Sequence, residues 1–285
     1  MAHIIDGKAI SAQVRAEIAE KTRDLTERTG ILPGLAVVIV GDDPASQVYV
    51  RNKHRACEQV GFYSEVHELP ADTTQETLEE LVDRLNADQR IHGILVQLPL
   101  PRHLDEGRIL LRIRPEKDVD AFHPFNVGRI MIGDPTFLPC TPAGIMELLR
   151  RSGISCDGKE CVVVGRSNIV GKPMAMLLLA ANGTVTVCHS HTQNLAEVTR
   201  RADILVAAIG RADFFTADMI KPGAVVIDVG MNRRADGKLT GDVDFASVEP
   251  LAFAITPVPG GVGPMTITML LQNTLRAAEA CANRG

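Results

Sequence analysis

An α/β protein of two domains, each built on a largely parallel sheet, is the fold class that this 285-residue sequence predicts. Three observations carry that expectation. Short apolar runs closed by glycine or proline alternate with amphipathic stretches along most of the chain, the pattern of repeated βα units. The length corresponds to about two domains, or one large one. In the second half, Cys161-Val-Val-Val-Gly-Arg-Ser-Asn-Ile-Val-Gly-Lys-Pro-Met-Ala175 reads as a strand that runs straight into an anion-binding turn and a helix.

Composition narrows the functional classes. Hydrophobic residues make up 45% and the mean hydropathy is +0.07, which fits a globular chain with a large core. No apolar run approaches the roughly 18 to 20 residues of a membrane span. The start, Met1-Ala-His-Ile-Ile-Asp6, lacks the basic-then-apolar profile of a signal peptide, so a cytoplasmic protein without a membrane partner is expected. A net charge of −5 argues against nucleic acid as a general partner and leaves any anionic ligand dependent on local basic residues. Cys57, Cys140, Cys156, Cys161, Cys188 and Cys281 form no C-x-x-C pair and are expected to be reduced core thiols rather than disulfides or zinc ligands.

In chain order, Ile10, Val14, Ile18 and Leu25 recur at helical spacing and predict an amphipathic helix from Lys8 to Leu25. Leu35 to Val40 is a buried strand. Asp42-Asp43-Pro44 supplies a cap and a proline for the first turn, and Gly61 a stop, so a helix is expected over 44–60. Ser46, Tyr49 and Lys53 share one face of that helix. They are either a solvated stripe or a site in which the phenol ring is a platform and the amine a proton carrier. Phe62 to Leu69 is a strand, and Thr73-Thr-Gln-Glu76 opens a helix whose apolar face is Leu78, Leu81, Val82 and Leu85. The next strand, from Ile91, ends in Gln97-Leu-Pro-Leu-Pro101. Gln97 at a strand's carboxyl end is either a ligand contact or an ordinary solvated terminus.

A helix is expected over 104–113, then an irregular loop in which Asp118 and Asp120 can anchor a donor-bearing heterocycle or a metal, although such a pair usually means nothing. Thr141 is read as the N-cap of a further helix with Pro142 in its first turn, ending near Gly153. Beyond the glycine-rich turn come strands over 184–188, 204–208 and 224–229, with a helix over 193–200. In the turn Ser167 stands where a dinucleotide fingerprint would have its second glycine, so spacing alone leaves a nucleotide site and a plain βα turn both open. Cys188-His-Ser-His-Thr192 offers no carboxylate for a ribose 2′-hydroxyl. With Arg166 and Ser190 nearby, that favours a 2′-phosphate, hence NADP over NAD. His189 and His191 are expected to face opposite sides of an extended segment, against a metal site. Thr256-Pro-Val-Pro-Gly-Gly-Val-Gly-Pro-Met-Thr266 has backbone suited to the close approach of a flat ligand, with a helix following from Ile267 to Leu275.

Taken together, Ser46-x-x-Tyr49-x-x-x-Lys53, Val96-Gln-Leu-Pro-Leu-Pro101, Lys117-Asp-Val-Asp120, Pro139-Cys-Thr-Pro142, Val164-Gly-Arg-Ser-x-x-Val-Gly-x-Pro173 and the 256–266 segment occur here in one order. The chain thereby resembles, over essentially its whole length, the bifunctional methylenetetrahydrofolate dehydrogenase/methenyltetrahydrofolate cyclohydrolase family. The resemblance implies a folate-binding catalytic domain over 1–140 and 267–285, a Rossmann-like, doubly wound NADP-binding domain over 141–266, and a cleft between them. It implies a homodimer acting on tetrahydrofolate derivatives. It assigns catalysis to Lys53, Gln97 and Tyr49, with Lys53 as proton carrier, its pKa lowered by burial or by the cationic substrate. Substrate contacts would come from Ser46, Tyr49, Lys53, Gln97, Leu98, Asp120, Pro259, Gly260 and Gly263. Cofactor contacts would come from Thr141, Gly165, Arg166, Ser167, Ser190, Val229, Gly230, Met231 and Thr266, and no metal is implied. Gly260 and Gly261 would lie between the two ligands. One departure stands out: Ala121 follows Asp120 where the family usually has glycine, and its methyl tightens the loop that aims Asp120. A monofunctional dehydrogenase would not need the Lys53 and Gln97 present here. A non-catalytic NADP-sensing module would bind cofactor without turning over folate.

Overall fold

The computed structural model describes residues 2–283 and divides into two compact units, one of them Gln13–Leu138 with the chain from Ile267 on, the other the chain up to Ala12 with Pro139–Thr266. Strand β1 (His3–Ile4) and helix α1 (Gly7–Thr29) open the chain, α1 starting one residue before the expected 8–25 and running about a turn past its end.

The first unit is built on β2 (Gly34–Val40), α2 (Pro44–Val60), β3 (Tyr63–Leu69), α3 (Gln75–Ala87), β4 (Gly93–Val96), α4 (Glu106–Arg112) and α5 (Pro124–Met131). Its three strands are parallel in the order β3-β2-β4. Every residue of β2 and β4 is buried, as expected of parallel strands covered on both faces. Leu78, Leu81, Val82 and Leu85 of α3 pack with Ile109 and Ile113 over Ala36, Val38, Ile94 and Val96. The α2 boundaries follow from local chemistry. Asp43 Oδ2 accepts the Ser46 N–H at 2.7 Å, Pro44 sits in the first turn, and Gly61 ends the helix with φ of 78°.

The second unit contains α6 (Cys140–Arg151), β5 (Glu160–Val164), α7 (Gly171–Ala180), β6 (Thr184–Cys188), α8 (Leu195–Thr199), β7 (Ile204–Ala207), β8 (Val225–Asp228), the short hairpin β9 (Asn232–Arg233) and β10 (Leu239–Thr240), α9 (Phe245–Val248) and β11 (Ala254–Ile255). Helix α10 (Val262–Ala282) completes the chain. The sheet order is β1-β11-β8-β7-β5-β6, parallel throughout, and the chain moves to β6 on one side of β5 before crossing back to β7 on the other. That reversal at β5 makes the sheet doubly wound and puts a ligand crevice at the carboxyl ends of β5 and β7.

Four expectations change. The residues before Gln13, expected with the first unit, lie in the second, because β1 adds an edge strand beside β11, His3 opposite Ala254. Thr141 is not an N-cap: α6 starts at Cys140 after Pro139 without a side-chain cap, and the Thr141 hydroxyl lies 2.9 Å from that of Thr266. Helix α10 begins at Val262, so the last five residues of the proline-glycine segment are helical rather than irregular. Finally, five of the six unbonded cysteines are buried, but Cys281 is exposed. Among the described residues no helix is long and apolar enough to cross a membrane, and no cluster of His, Cys, Asp or Glu is arranged to hold a metal.

Candidate functional site

In the first unit the chemistry-bearing residues gather at the carboxyl end of the sheet. Helix α2 carries Ser46, which is buried, Tyr49, which is 38% exposed, and Lys53, which is 9% exposed. Partial burial raises the Tyr49 phenol pKa. Gln97 follows the last residue of β4, its N–H bonded to the Val38 carbonyl at 2.8 Å, so the sheet fixes its backbone. The Lys53 Nζ donates to Gln97 Oε1 at 2.7 Å, and Gln97 Nε2 donates to the Leu98 carbonyl at 2.6 Å. The second bond uses the amide's donor side and leaves Oε1 to face the amine, which fixes the orientation of the glutamine. The Leu98–Pro99 peptide that follows is cis. Sequence spacing showed only that Ser46, Tyr49 and Lys53 share a helix face; the structure adds Gln97, 44 positions away.

The two loop aspartates separate into different roles. Asp118 is buried and its carboxylate is saturated: Oδ2 accepts the His123 N–H and Asn126 Nδ2, each at 2.8 Å, and Oδ1 the Phe122 N–H at 3.2 Å. Its pKa is raised, because desolvation outweighs those donors. Asp120 is half-buried and its carboxylate has no hydrogen-bond or ion-pair partner among the described residues. Asp118 therefore shapes the loop, while the Asp120 acceptors are not committed to it. Ala121 is fully buried with φ of 58°, a left-handed conformation that costs a non-glycine residue about 1–2 kcal/mol. Replacing Asp118 with Asn presents an NH₂ group to one of its donors, and we expect a loss of about 2–3 kcal/mol in unfolding free energy, read as a lower urea midpoint. An unchanged midpoint would show that the loop is held elsewhere.

In the second unit, β5 ends at Val164 and Gly165 turns with φ of 134°. A Cβ there would stand 2.2 Å from the Ala208 carbonyl oxygen, and one on Gly171 would stand 2.2 Å from the Gly165 oxygen, so only glycine permits the tight turn at both places. Ser167 Oγ accepts the N–H groups of Val170 and Gly171 at 3.1 and 3.3 Å, replacing the missing middle glycine with a cap on α7. The N–H groups of Arg166, Ser167, Asn168 and Ile169 have no hydrogen-bond partner among the described residues, and all four residues are exposed. A ring of unused amides before a helix N-terminus fits a phosphate.

Gly165 N donates to the Cys188 carbonyl at 2.9 Å, which brings Arg166 beside the segment that follows β6. Arg166 and Ser190 are both exposed, and no ion pair engages the guanidinium among the described residues. His189 and His191 do not face opposite sides as expected. The strand stops at Cys188, Thr192 N bonds back to the His189 carbonyl at 2.8 Å, and the two rings sit 6.0 Å apart in the resulting turn. Val229, Gly230 and Met231 follow β8, and the Met231 side chain lies close to Gly263, 3.3 Å from where a Cβ would be. Pro259 follows a cis peptide bond and Gly260 has φ of 111°. Gly261 is glycine for a reason unrelated to any ligand: a Cβ would meet the Pro257 oxygen and the Thr256 Cβ at 2.7 Å.

Residues 5–120 match the tetrahydrofolate dehydrogenase/cyclohydrolase catalytic domain, and residues 139–282 match the NAD(P)-binding domain of the same family. A bifunctional protein FolD of Streptococcus pneumoniae serotype 4 is 62% identical over 284 residues, covering 100% of both chains. Among solved structures, the bifunctional FolD methylenetetrahydrofolate dehydrogenase/cyclohydrolase of Campylobacter jejuni superposes with a TM-score of 0.97 at 50% identity, covering 99% of this chain and 100% of that one. The FolD enzyme of Trypanosoma brucei, solved with NADP and an inhibitor, gives a TM-score of 0.94 at 44% identity over 98% of each chain.

Proposed function

The chain belongs to the tetrahydrofolate dehydrogenase/cyclohydrolase family, and we propose that it oxidises 5,10-methylenetetrahydrofolate with NADP and then hydrolyses the methenyl product to 10-formyltetrahydrofolate. The observation that carries the reading is the Lys53–Gln97 pair at 2.7 Å, a buried amine held at the carboxyl edge of one sheet by an amide whose own orientation is fixed. A dehydrogenase alone needs positioning and no proton carrier. When bound, NADP supplies the hydride acceptor for the methylene carbon.

The chain's own residues supply the rest. Tyr49 offers its half-exposed ring as a platform for the folate aromatic system, and Ser46 lies a turn away on the same helix face. Asp120 accepts from the donor-bearing edge of the pterin, its loop held by Asp118. In the hydrolytic step water adds to the methenyl carbon. The Lys53 amine takes a proton from that water and passes it to the pterin-ring nitrogen as that nitrogen's bond to carbon breaks; the remaining hydroxyl proton leaves to solvent as the carbonyl forms, and the formyl group stays on the other nitrogen. Gln97 keeps the amine directed throughout.

In the second unit the exposed amides of 166–169 receive the pyrophosphate, and Arg166 with Ser190 receives the 2′-phosphate. Ser167, Thr141, Val229, Gly230, Met231 and Thr266 complete the cofactor assignments, while Leu98, Pro259, Gly260 and Gly263 remain substrate contacts on resemblance alone. The same resemblance makes the working form a cytoplasmic homodimer, with tetrahydrofolate derivatives as its partners and neither nucleic acid nor membrane.

Arg166→Ala is expected to weaken NADP more than NAD by about 1.5–3 kcal/mol, the worth of a hydrogen bond to a charged group. Titrating both cofactors checks this; equal losses would remove Arg166 from the 2′-phosphate. Decay of added methenyltetrahydrofolate without cofactor, faster than in buffer, tests the hydrolytic half.

A further inference from the structure

Two buried aspartates that none of the assignments above uses tie together the loops at the carboxyl ends of β7 and β8. Asp228, the last residue of β8, is 3% exposed, and Asp242, just beyond β10, is 0% exposed. Asp228 Oδ1 accepts the backbone N–H groups of Gly230 and Asp242, and Oδ2 that of Val243, each at 2.9 Å. Asp242 Oδ2 accepts the N–H groups of Ile209 and Gly210 at 2.6 and 3.0 Å. Its Oδ1 accepts the Arg211 N–H at 2.8 Å and Asn232 Nδ2 at 2.9 Å. Asp242 thus gathers the loop after β7 and reaches Asn232 at the start of β9. Asp228 gathers the loop after β8, and the Asp242 N–H joins the two carboxylates into one device. The Asp228 N–H adds a third loop by donating to Thr256 Oγ1 at 2.8 Å, just past β11.

The backbone is cut to admit these carboxylates. A Cβ on Gly230 would lie 2.3 Å from Asp242 Oδ1, and one on Gly241 would lie 1.8 Å from Asp228 Oδ2. Gly230 is therefore glycine because Asp242 lies against it, whatever else it touches. Two acidic groups in a dry interior are costly, and burial pushes Asp228 up to about 6 against three donated amides. Apolar side chains would fill such a space at less cost, but they cannot hold six backbone N–H groups of separate loops in one arrangement.

The direction of the dinucleotide follows from the sheet order. The ribose beside Ser190 lies at the end of β6, and the pyrophosphate at the turn after β5. The other half then extends toward β7 and β8, on the far side of β5. We propose that Asp242, braced by Asp228, is the positioning residue for the nicotinamide half of NADP, holding the backbone of residues 209–211 and 229–231 in the arrangement that receives it. The proposal rests on the reading of the second unit as the NADP site.

The test uses the full chain, NADP, and adenosine 2′,5′-bisphosphate as a probe of the adenosine half alone. In Asp242→Asn, an isosteric change that turns an NH₂ group toward a backbone donor, the Kd for NADP is expected to rise about tenfold or more, while the adenosine bisphosphate Kd moves less than about twofold. The dehydrogenase KM for NADP should rise with it, and cofactor-independent methenyl hydrolysis should hold. Unchanged NADP affinity, or equal weakening of both ligands, would overturn the proposal. Should that variant fail to fold, Asn232→Ala, which removes one donor from Asp242, decides on the same two outcomes at an amplitude of about two- to fivefold. Binding of the bisphosphate to the unaltered chain is measured first. Its failure there would strike at the cofactor site itself and is distinct from any result with the variants.

Discussion

Replacing Lys53 with Met is expected to lower methenyltetrahydrofolate hydrolysis by about 10²-fold or more, the usual worth of a positioned proton carrier, while folate affinity changes less than about tenfold. Met keeps the length of the side chain and its packing in a site that is 9% exposed, so the variant should fold. What it removes is the amine that moves the proton and the donor at 2.7 Å from Gln97 Oε1. The hydride step asks only that the reacting carbon be held in place, so dehydrogenase activity should fall less than hydrolysis. A variant that hydrolyses the methenyl substrate at the unaltered rate would remove Lys53 from the mechanism.

Gly165→Ala should act on the other activity. At φ of 134° an alanine is strained, and its Cβ would stand 2.2 Å from the Ala208 oxygen, well inside contact distance. Relief requires the ends of β5 and β7 to part, where the crevice forms. We expect a stability loss of about 3–5 kcal/mol and the loss of measurable NADP binding. Hydrolysis of added methenyltetrahydrofolate, which belongs to the other unit's chemistry, should persist wherever the chain remains folded. Thermal unfolding with an NADP titration checks both parts, and an unchanged melting temperature with unchanged affinity would contradict them.

Much of the fold was legible because it is written in local chemistry. Asp43-Pro44 and Gly61 bound α2 as their capping and turn preferences require, and Val162 to Val164 run into Gly165 as a buried strand must. The parts that were not legible depend on distant pairing. His3–Ile4 is two residues long and becomes a strand only because β11 lies beside it. The turn at 189–192 was misread as extended because the end of β6 is set by its pairing with β5, which stops at Cys188.

The site shows the same division. Ser46, Tyr49 and Lys53 share a face by helical spacing, but spacing could not join Lys53 to Gln97; only the family resemblance did. Asp118 and Asp120 looked alike in the sequence, and three hydrogen bonds to Asp118 tell them apart. Asp228 and Asp242 gave no signal. They are 14 residues apart, and Asp242 reaches back 33 residues to Ile209, so no window along the chain contains the device. The glycines that admit them, Gly230 and Gly241, were the nearest thing to a trace.

Both activities are proposed to reside in one chain. The most direct measurement is a full-spectrum time course of the purified protein with methylenetetrahydrofolate and NADP, repeated with NAD, following reduced nicotinamide and the methenyl chromophore separately. Reduced cofactor is expected to rise faster with NADP, with little methenyl species accumulating and added methenyl substrate decaying faster than in buffer. Methenyl species that accumulates and decays only at the buffer rate would leave a dehydrogenase and contradict the role of Lys53, and NADP bound without any absorbance change would contradict catalysis altogether.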